Sequence, residues 1–297
     1  MGHGRWDSSS YKSYAASAST RDRHELYTRS SHHDVTESKQ AINIEDIGFR
    51  ESRDSEDNPV STPIIIGLDV TGSMGMIPEK LTKGALGTLV EQTLQRKPVT
   101  DPHMCFLGIG DACAGDRAPL QATQFEADNT ICVQLTDLFL EGGGGGNNFE
   151  SYDLAWAFAV GKCQTDAWEK RQAKGMLFTI GDEMFPKRTN VEYVAKRVLG
   201  QAGEDTTPES LLTLAQERYH VFHVIIAQGH FAGSRLNAVE SDWQQRLGKR
   251  ALTCHSYDKL AELMVSAMAI ENGEEVEDVL DWWDDDTAAV VAKAIRQ

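Results

Sequence analysis

Residues 63–75 read Pro63-Ile64-Ile65-Ile66-Gly67-Leu68-Asp69-Val70-Thr71-Gly72-Ser73-Met74-Gly75. The apolar run up to Leu68 lacks the polar alternation of a half-exposed strand, so it predicts a strand covered on both faces. Asp69-x-Thr71-x-Ser73 then makes a turn, and a helical pattern begins near Met76. Three oxygen-bearing side chains therefore fall at the carboxyl end of a buried strand. Ligands of open α/β sheets bind at such ends, facing the N-terminus of the helix that follows.

Outward from this stretch, residues 77–96 have helical spacing, closed by Pro98. Further apolar runs at 104–110, 176–180 and 221–227, with a short one at 251–254, predict more buried strands. Residues 120–125 alternate as a half-buried edge strand does. Helical patterns occupy 131–140, 149–163, 191–199, 208–218, 242–247 and 257–270. Strands alternating with helices predict an α/β fold, its sheet mainly parallel with helices on both faces.

The flanks differ from this middle. Residues 1–58 are rich in Ser, Arg, Asp and His, and their apolar residues form no face of either period. They read as a polar extension without its own core, holding a short helix near 21–29 and a charge-mixed solvated linker, Arg50-Glu51-Ser52-Arg53-Asp54-Ser55-Glu56-Asp57. Residues 59–270 form the domain, and 271–297 an acidic tail with Trp282-Trp283 in its middle and a helix over its last ten residues.

The 297 residues carry 29 Lys+Arg against 45 Asp+Glu, a formal net charge of -16. That balance argues against nucleic acid or an anionic membrane as the main partner. No apolar run approaches the roughly 20 residues of a membrane span. The N-terminus has no apolar signal core, so a cytoplasmic protein is expected. The five cysteines form no Cys-x-x-Cys pair and read as reduced and mostly buried. His220 and His223 sit at odd spacing on one strand and face opposite sides, which makes a shared zinc site with His230 awkward.

The chemistry concentrates at strand ends. The first buried strand supplies Asp69, Thr71 and Ser73, and the third supplies Asp182. The run Gly142 to Gly146 leads to Asn147 or Asn148. Two carboxylates with neutral hydroxyl and amide oxygens suit a hard divalent cation, Mg²⁺ or Mn²⁺ before Ca²⁺. The glycine run lacks the Gly-Lys-[Ser/Thr] ending of a nucleotide loop. Asp111 and Asp116 read as solvated turn residues, Glu150 and Glu183 as surface charges, and Trp156, Phe158 and Trp168 as core.

These residues resemble the von Willebrand factor A (VWA) domain and its metal-ion-dependent adhesion site. Asp69-x-Thr71-x-Ser73 departs from the family's usual Asp-x-Ser-x-Ser only in exchanging one hydroxyl residue for another. Gly145-Gly146-Asn147 stands where Gly-Gly-Thr is usual, and Gly181-Asp182-Glu183 where Thr-Asp-Gly is usual. The flank around residues 50–55 with Ser61-Thr62-Pro63 is also similar to uncharacterised bacterial and phage members. The resemblance spans roughly 60–270 and implies a Rossmann-like VWA fold with one antiparallel edge strand.

It further implies that Asp69, Thr71, Ser73, Asn147 and Asp182 hold Mg²⁺ (Mn²⁺ or Ca²⁺ in its place), leaving one coordination position to an Asp or Glu of a protein partner. By analogy such a partner is an AAA+ ring ATPase. The expected protein is then a binding module and no enzyme. Two other readings compete. Asp69-Val70-Thr71-Gly72-Ser73 also resembles the Asp-Lys-Thr-Gly-Thr of haloacid-dehalogenase-like phosphotransferases, with Asp69 as nucleophile and Asp182 holding Mg²⁺. An RNA-binding scaffold meets the negative charge and the lack of a basic, aromatic-interleaved patch.

Overall fold

A run such as Ile64-Ile65-Ile66 loses all contact with water only when both faces of its strand are covered, and all three residues are fully buried. The computed structural model describes residues 42–81, 84, 86–135, 137–141 and 149–296, with isolated positions 7, 9, 13 and 16. The expected helix near 21–29 and the glycine run with Asn147 and Asn148 lie outside the described residues.

In chain order the first half comprises β1 (Arg50–Ser52), β2 (Thr62–Asp69), α1 (Ile77–Lys80), α2 (Leu86–Arg96), β3 (Pro102–Ile109), β4 (Leu120–Ala122) and α3 (Thr130–Leu135). Next come α4 (Asp153–Gly161), β5 (Cys163–Thr165), α5 (Asp166–Arg171), β6 (Gly175–Gly181), α6 (Val191–Tyr193), which runs into a π-helical turn, and α7 (Pro208–Arg218). The chain continues with β7 (Tyr219–Ile226), α8 (His230–Leu247), β8 (Ala251–Cys254), α9 (Leu260–Glu271), α10 (Val276–Leu280) and α11 (Asp285–Ile295).

Six strands form one sheet in the order β4-β3-β2-β6-β7-β8. Every pairing in it is parallel except β3 with the edge strand β4. Side chains alternate between the faces as the pleat requires. Ile64, Ile66, Leu68 and Phe178 share one cluster with Leu263 and Met264 of α9. Ile65 and Leu177 join the other with Trp156 of α4 and Trp243 of α8. Helix α4 is apolar nearly all round and buried from Asp153 through Ala159, as a helix with no solvent face must be. The α/β expectation with helices on both faces and one antiparallel edge strand is met.

The N-terminal flank departs from expectation. Residues 50–54 are no solvated linker, because β1 pairs in parallel with β5 and Arg50 is buried, donating from Nε to the Thr123 carbonyl at 2.8 Å and from Nη2 to that of Ala122 at 3.2 Å, whereas Glu56 and Asp57 are exposed. Arg53 pairs with Asp166 at 2.9 Å, and Arg171 with Asp54 at 2.6 Å. Upstream, Ile42, Ile44 and Ile47 are buried. The acidic tail also packs down. Val279 and Val291 are buried, Trp283 Nε1 donates to Ser266 Oγ at 2.9 Å, and the Arg96 guanidinium covers both indoles. Trp282-Trp283 is a packing pair, and burial of these apolar residues holds the acidic tail against the domain.

The chain runs from β2 to β3 on one side and later returns through β6 to β7 on the other. Strand order therefore reverses between β2 and β6, and the crevice beyond their carboxyl ends is the topological switch point where α/β sheets bind ligands. Asp69 ends β2 and Asp182 follows β6.

Candidate functional site

Past Asp69 the chain stays paired for one residue, with Val70 N donating to the Ile109 carbonyl at 2.9 Å, and then turns. Asp69 Oδ1 accepts from Thr71 N at 2.9 Å and from Thr71 Oγ1 at 2.7 Å, the Asx-type contact that makes an Asp a turn former. Gly72–Met74 is one turn of 3-10 helix. The turn brings Thr71 Oγ1 and Ser73 Oγ to 3.2 Å from one another.

Ser73 Oγ donates to Asp182 Oδ1 at 2.7 Å, joining the two strand ends. Asp182 Oδ2 accepts from Phe231 N at 2.8 Å, in the first turn of α8. The negative charge thus meets the amino end of α8, whose helical backbone is broken at Arg235. Gly229 just before α8 is needed for this approach, since a Cβ there would run into the Asp182 carboxyl. The far oxygen of Asp69, Oδ2, accepts from Tyr152 OH at 2.9 Å. Tyr152 reaches it across Gly181, where any Cβ would collide with the phenol oxygen. His223, stacked on Trp243 at 3.5 Å, packs edge-on against the Tyr152 ring at 4.9 Å and keeps it in place.

Four of the five predicted ligands, Asp69, Thr71, Ser73 and Asp182, therefore converge in one hydrogen-bonded chain. The fifth, Asn147, lies outside the described residues. Glu150 and Glu183 are not surface charges, at 2% and 6% exposed, because the bridge between Phe149 and Met184 draws the Glu150 segment in beside the end of β6. Asp111 is buried rather than solvated. Its Oδ1 accepts from Cys113 N at 2.7 Å and Ser151 Oγ at 3.1 Å. Asp116 is half-buried, and its Oδ2 accepts from Asp111 N at 2.7 Å.

Burial, then the Asp182 charge, pushes the Asp69 carboxyl up. Burial and the charges of Asp69 and Asp182 push Glu183 up to about 8. Burial, then Asp69 and Glu183, raises Glu150 as well. The charges that chiefly raise these three are other carboxylates. Such a cluster is stabilised by protons or by a cation.

Among the described residues, no three His, Cys, Asp or Glu side chains are grouped to hold a metal by themselves. The candidate set is two carboxylates and two hydroxyls, and its spacing fits a small hard ion. Successive oxygens stand 2.7, 3.2 and 2.7 Å apart along Asp69, Thr71, Ser73 and Asp182. An octahedron with Mg–O bonds of about 2.1 Å has edges of about 3 Å. Buried and without a hydrogen-bond partner, Glu150 Oε2 and Glu183 Oε2 add acceptor capacity beside them.

Tyr152 and the Phe231 amide were not foreseen. The one signal in the sequence was Gly181 directly before Asp182, a residue without a side chain where something comes close. The described cysteines are free, and all but half-buried Cys113 are buried. His220 is half-buried and pairs with Glu271 at 2.8 Å, whereas His223 is buried on the opposite face, as the odd spacing required. No described helix is long and apolar enough to cross a membrane.

No protein-family model matches the chain, and no curated protein matches it. Among solved structures, it is similar to the pilus adhesin SpaC from Lactobacillus rhamnosus GG in its open conformation, with a TM-score of 0.47 and 7% identity over 75% of this chain and 31% of that one. It is also similar to proximal thread matrix protein 1 of the mussel byssus, with a TM-score of 0.46 and 13% identity over 71% of this chain and 47% of that one. For the conserved hypothetical protein BatB from Bacteroides thetaiotaomicron the TM-score is 0.32 and the identity 13%, over 56% of this chain and 66% of that one. The chain spans less than half the length of the adhesin and of the byssus protein.

Proposed function

We propose that the chain is a divalent-cation-dependent protein-interaction module of the VWA type, which grips an acidic side chain of a partner at the β2–β6 switch point. The observation that carries this reading is the Ser73–Asp182 hydrogen bond of 2.7 Å, which joins the two motif strands through their oxygens at ligand spacing. The sequence resemblance in Asp69-x-Thr71-x-Ser73 and Asp182 supports it.

Thr71 and Ser73 would hold Mg²⁺ through their hydroxyls, Asp69 and Asp182 through their carboxylates, and the glycine loop would contribute Asn147. When bound, the ion supplies an electrophilic position for a carboxylate oxygen. The chain's own groups prepare that position. Tyr152 fixes the Asp69 carboxyl, the Phe231 amide fixes that of Asp182, and the buried surround excludes water from both. Second-shell contacts of this kind orient ligands and set affinity.

Asp69 is fully buried, with Oδ1 held by Thr71 and Oδ2 by Tyr152. A nucleophile needs a free oxygen aimed at the phosphorus, so the phosphotransferase reading draws no support from this geometry. Titration calorimetry tests the proposal, with Mg²⁺ expected to bind the wild-type chain once and Ser73→Ala at least tenfold more weakly. Equal binding by both, or none by the wild type, would remove it.

A further inference from the structure

The motif turn ends at Gly75, whose φ of 57° and ψ of -120° only glycine adopts freely. A Cβ there would lie 3.5 Å from the His230 ring, so the turn sits against the start of α8. The next residue, Met76, is 57% exposed at the head of α1, a short step beyond the Ser73–Asp182 hydrogen bond. An exposed methionine is ordinary by itself. This one shares its rim with two exposed cations that are already held in place. Lys80, one turn along α1, donates from Nζ to Tyr257 OH at 2.7 Å, and Tyr257 N donates to Gln228 Oε1 at 2.8 Å just before α8. The Arg235 guanidinium lies 4.7 Å from the centre of the Phe231 ring, and the Phe231 amide is the one that holds Asp182.

The surround of the site is therefore one-sided. Towards the loop after β3 and the end of β6 it carries the buried acids Asp111, Glu150 and Glu183. Towards α1 and α8 it carries Lys80 and Arg235, and Asp258, exposed beside Tyr257, offsets only part of their charge. A chain of net charge -16 repels acidic segments as a whole, so cations at the rim supply the local attraction that such a segment needs.

We propose that the α1–α8 rim, through Met76, Lys80, His230 and Arg235, docks an acidic segment of a partner protein that carries an apolar side chain among its carboxylates. This names the kind of partner for the interaction reading above and rests on that reading. Lys80 spends one of its three donors on Tyr257, and Arg235 spends Nη1 on Ser234 Oγ at 3.1 Å, which leaves each with N–H groups for carboxylates flanking the one that enters the site. Met76 covers the apolar side chain, a task its flexible thioether suits. Because both cations are held before docking, little side-chain freedom is lost on binding.

The test follows fluorescence anisotropy of a short fluorescein-labelled peptide of alternating Glu and Leu, with its Gln-for-Glu counterpart as reference, in millimolar Mg²⁺. The full chain is compared with the Lys80→Glu, Arg235→Glu double variant, Met76→Ser, Ser73→Ala and, as control on the side of Cys113, Arg188→Glu, each checked for folding by circular dichroism. The wild type should bind the Glu peptide and not the Gln peptide, more weakly as NaCl is added. The double variant should bind about tenfold more weakly and Met76→Ser about threefold, with Arg188→Glu unchanged.

No binding of the Glu peptide by the wild type, equal binding by wild type and double variant, or equal losses in the double variant and Arg188→Glu would overturn the proposal. If the double variant binds as the wild type does while Ser73→Ala and EDTA weaken binding, the rim falls and the cation reading stands. If the double variant is weakened while Ser73→Ala and EDTA change nothing, the rim stands and the cation reading falls.

Discussion

Tyr152 donates its phenolic hydrogen to Asp69 Oδ2 at 2.9 Å, passing over a position in β6 that has no side chain. The two residues lie 83 positions apart in sequence. Their contact ties the entrance of α4 to the end of β2, across the switch point of the sheet. It also leaves Asp69 Oδ1 to face Thr71.

Tyr152→Phe keeps the ring and removes the donor. It should destabilise the fold by about 1.5–3 kcal/mol, the range for a hydrogen bond to a charged group. Mg²⁺ affinity should fall by about tenfold or more, because the carboxyl loses its fixed orientation. Urea denaturation and calorimetric titration measure the two effects separately. A variant with unchanged stability and affinity would mean that the phenol oxygen does nothing for Asp69.

Gly181→Ala places a methyl group against the Tyr152 hydroxyl. Overpacking of this kind costs about 1–3 kcal/mol. Since the collision is with the phenol oxygen, adding Tyr152→Phe should recover part of the loss. A double-mutant cycle then gives a coupling of about 0.5 kcal/mol or more, in the direction of rescue. Strict additivity would place the Gly181 requirement elsewhere.

Without divalent cations the protein should lose stability as pH rises from about 5 to 8. Glu183 ionises near 4.5 when unfolded and at about 8 when folded. Between those values the folded state binds more protons than the unfolded one, so the slope of unfolding free energy against pH is negative. Its limit is about 1.4 kcal/mol per pH unit for one group. Burial raises Asp69 in the same direction. Thermal melts in EDTA across this range should show Tm falling, with a shallower fall in Glu183→Gln. A Tm rising with pH for the wild type would contradict the buried-acid arrangement.

Arg50→Ala should cost about 2–4 kcal/mol, since it strips donors from the buried carbonyls of Ala122 and Thr123 and opens a cavity. Arg53→Ala, at a partly exposed ion-pair cluster, should cost about 1 kcal/mol or less. Guanidinium denaturation of the two variants decides. Equal costs would mean that the β1 segment is held by its charges rather than by its buried hydrogen bonds.

The parallel strands of the six-stranded sheet were legible because apolar residues dominate each of them, and Ala251–Cys254 was located to the residue. That Asp69, Thr71, Ser73 and Asp182 would come together was legible because they stand at the carboxyl ends of two buried strands. What sequence obscured was burial imposed from a distance. Glu150 and Glu183 look like any acidic residues beside a turn, and the Phe149–Met184 bridge, with the Trp243 hydrogen bond to the Glu183 carbonyl, holds them inward. Arg50 reads as solvated until β5, 113 residues later in sequence, pairs with its strand. Tyr152 was hidden among better-known core aromatics, since nothing local tells a packing phenol from one that holds a carboxylate.

The antiparallel bridge between Asn43 and Gln121, with Ala122 N donating to the Ile42 carbonyl at 2.9 Å, has a colloidal consequence. It covers the outer rim of β4, whose free amides and carbonyls would otherwise invite another strand. A chain begun at Pro59 would keep the sheet and every predicted ligand yet bare that rim, and it should form concentration-dependent aggregates at temperatures where the full chain remains dispersed.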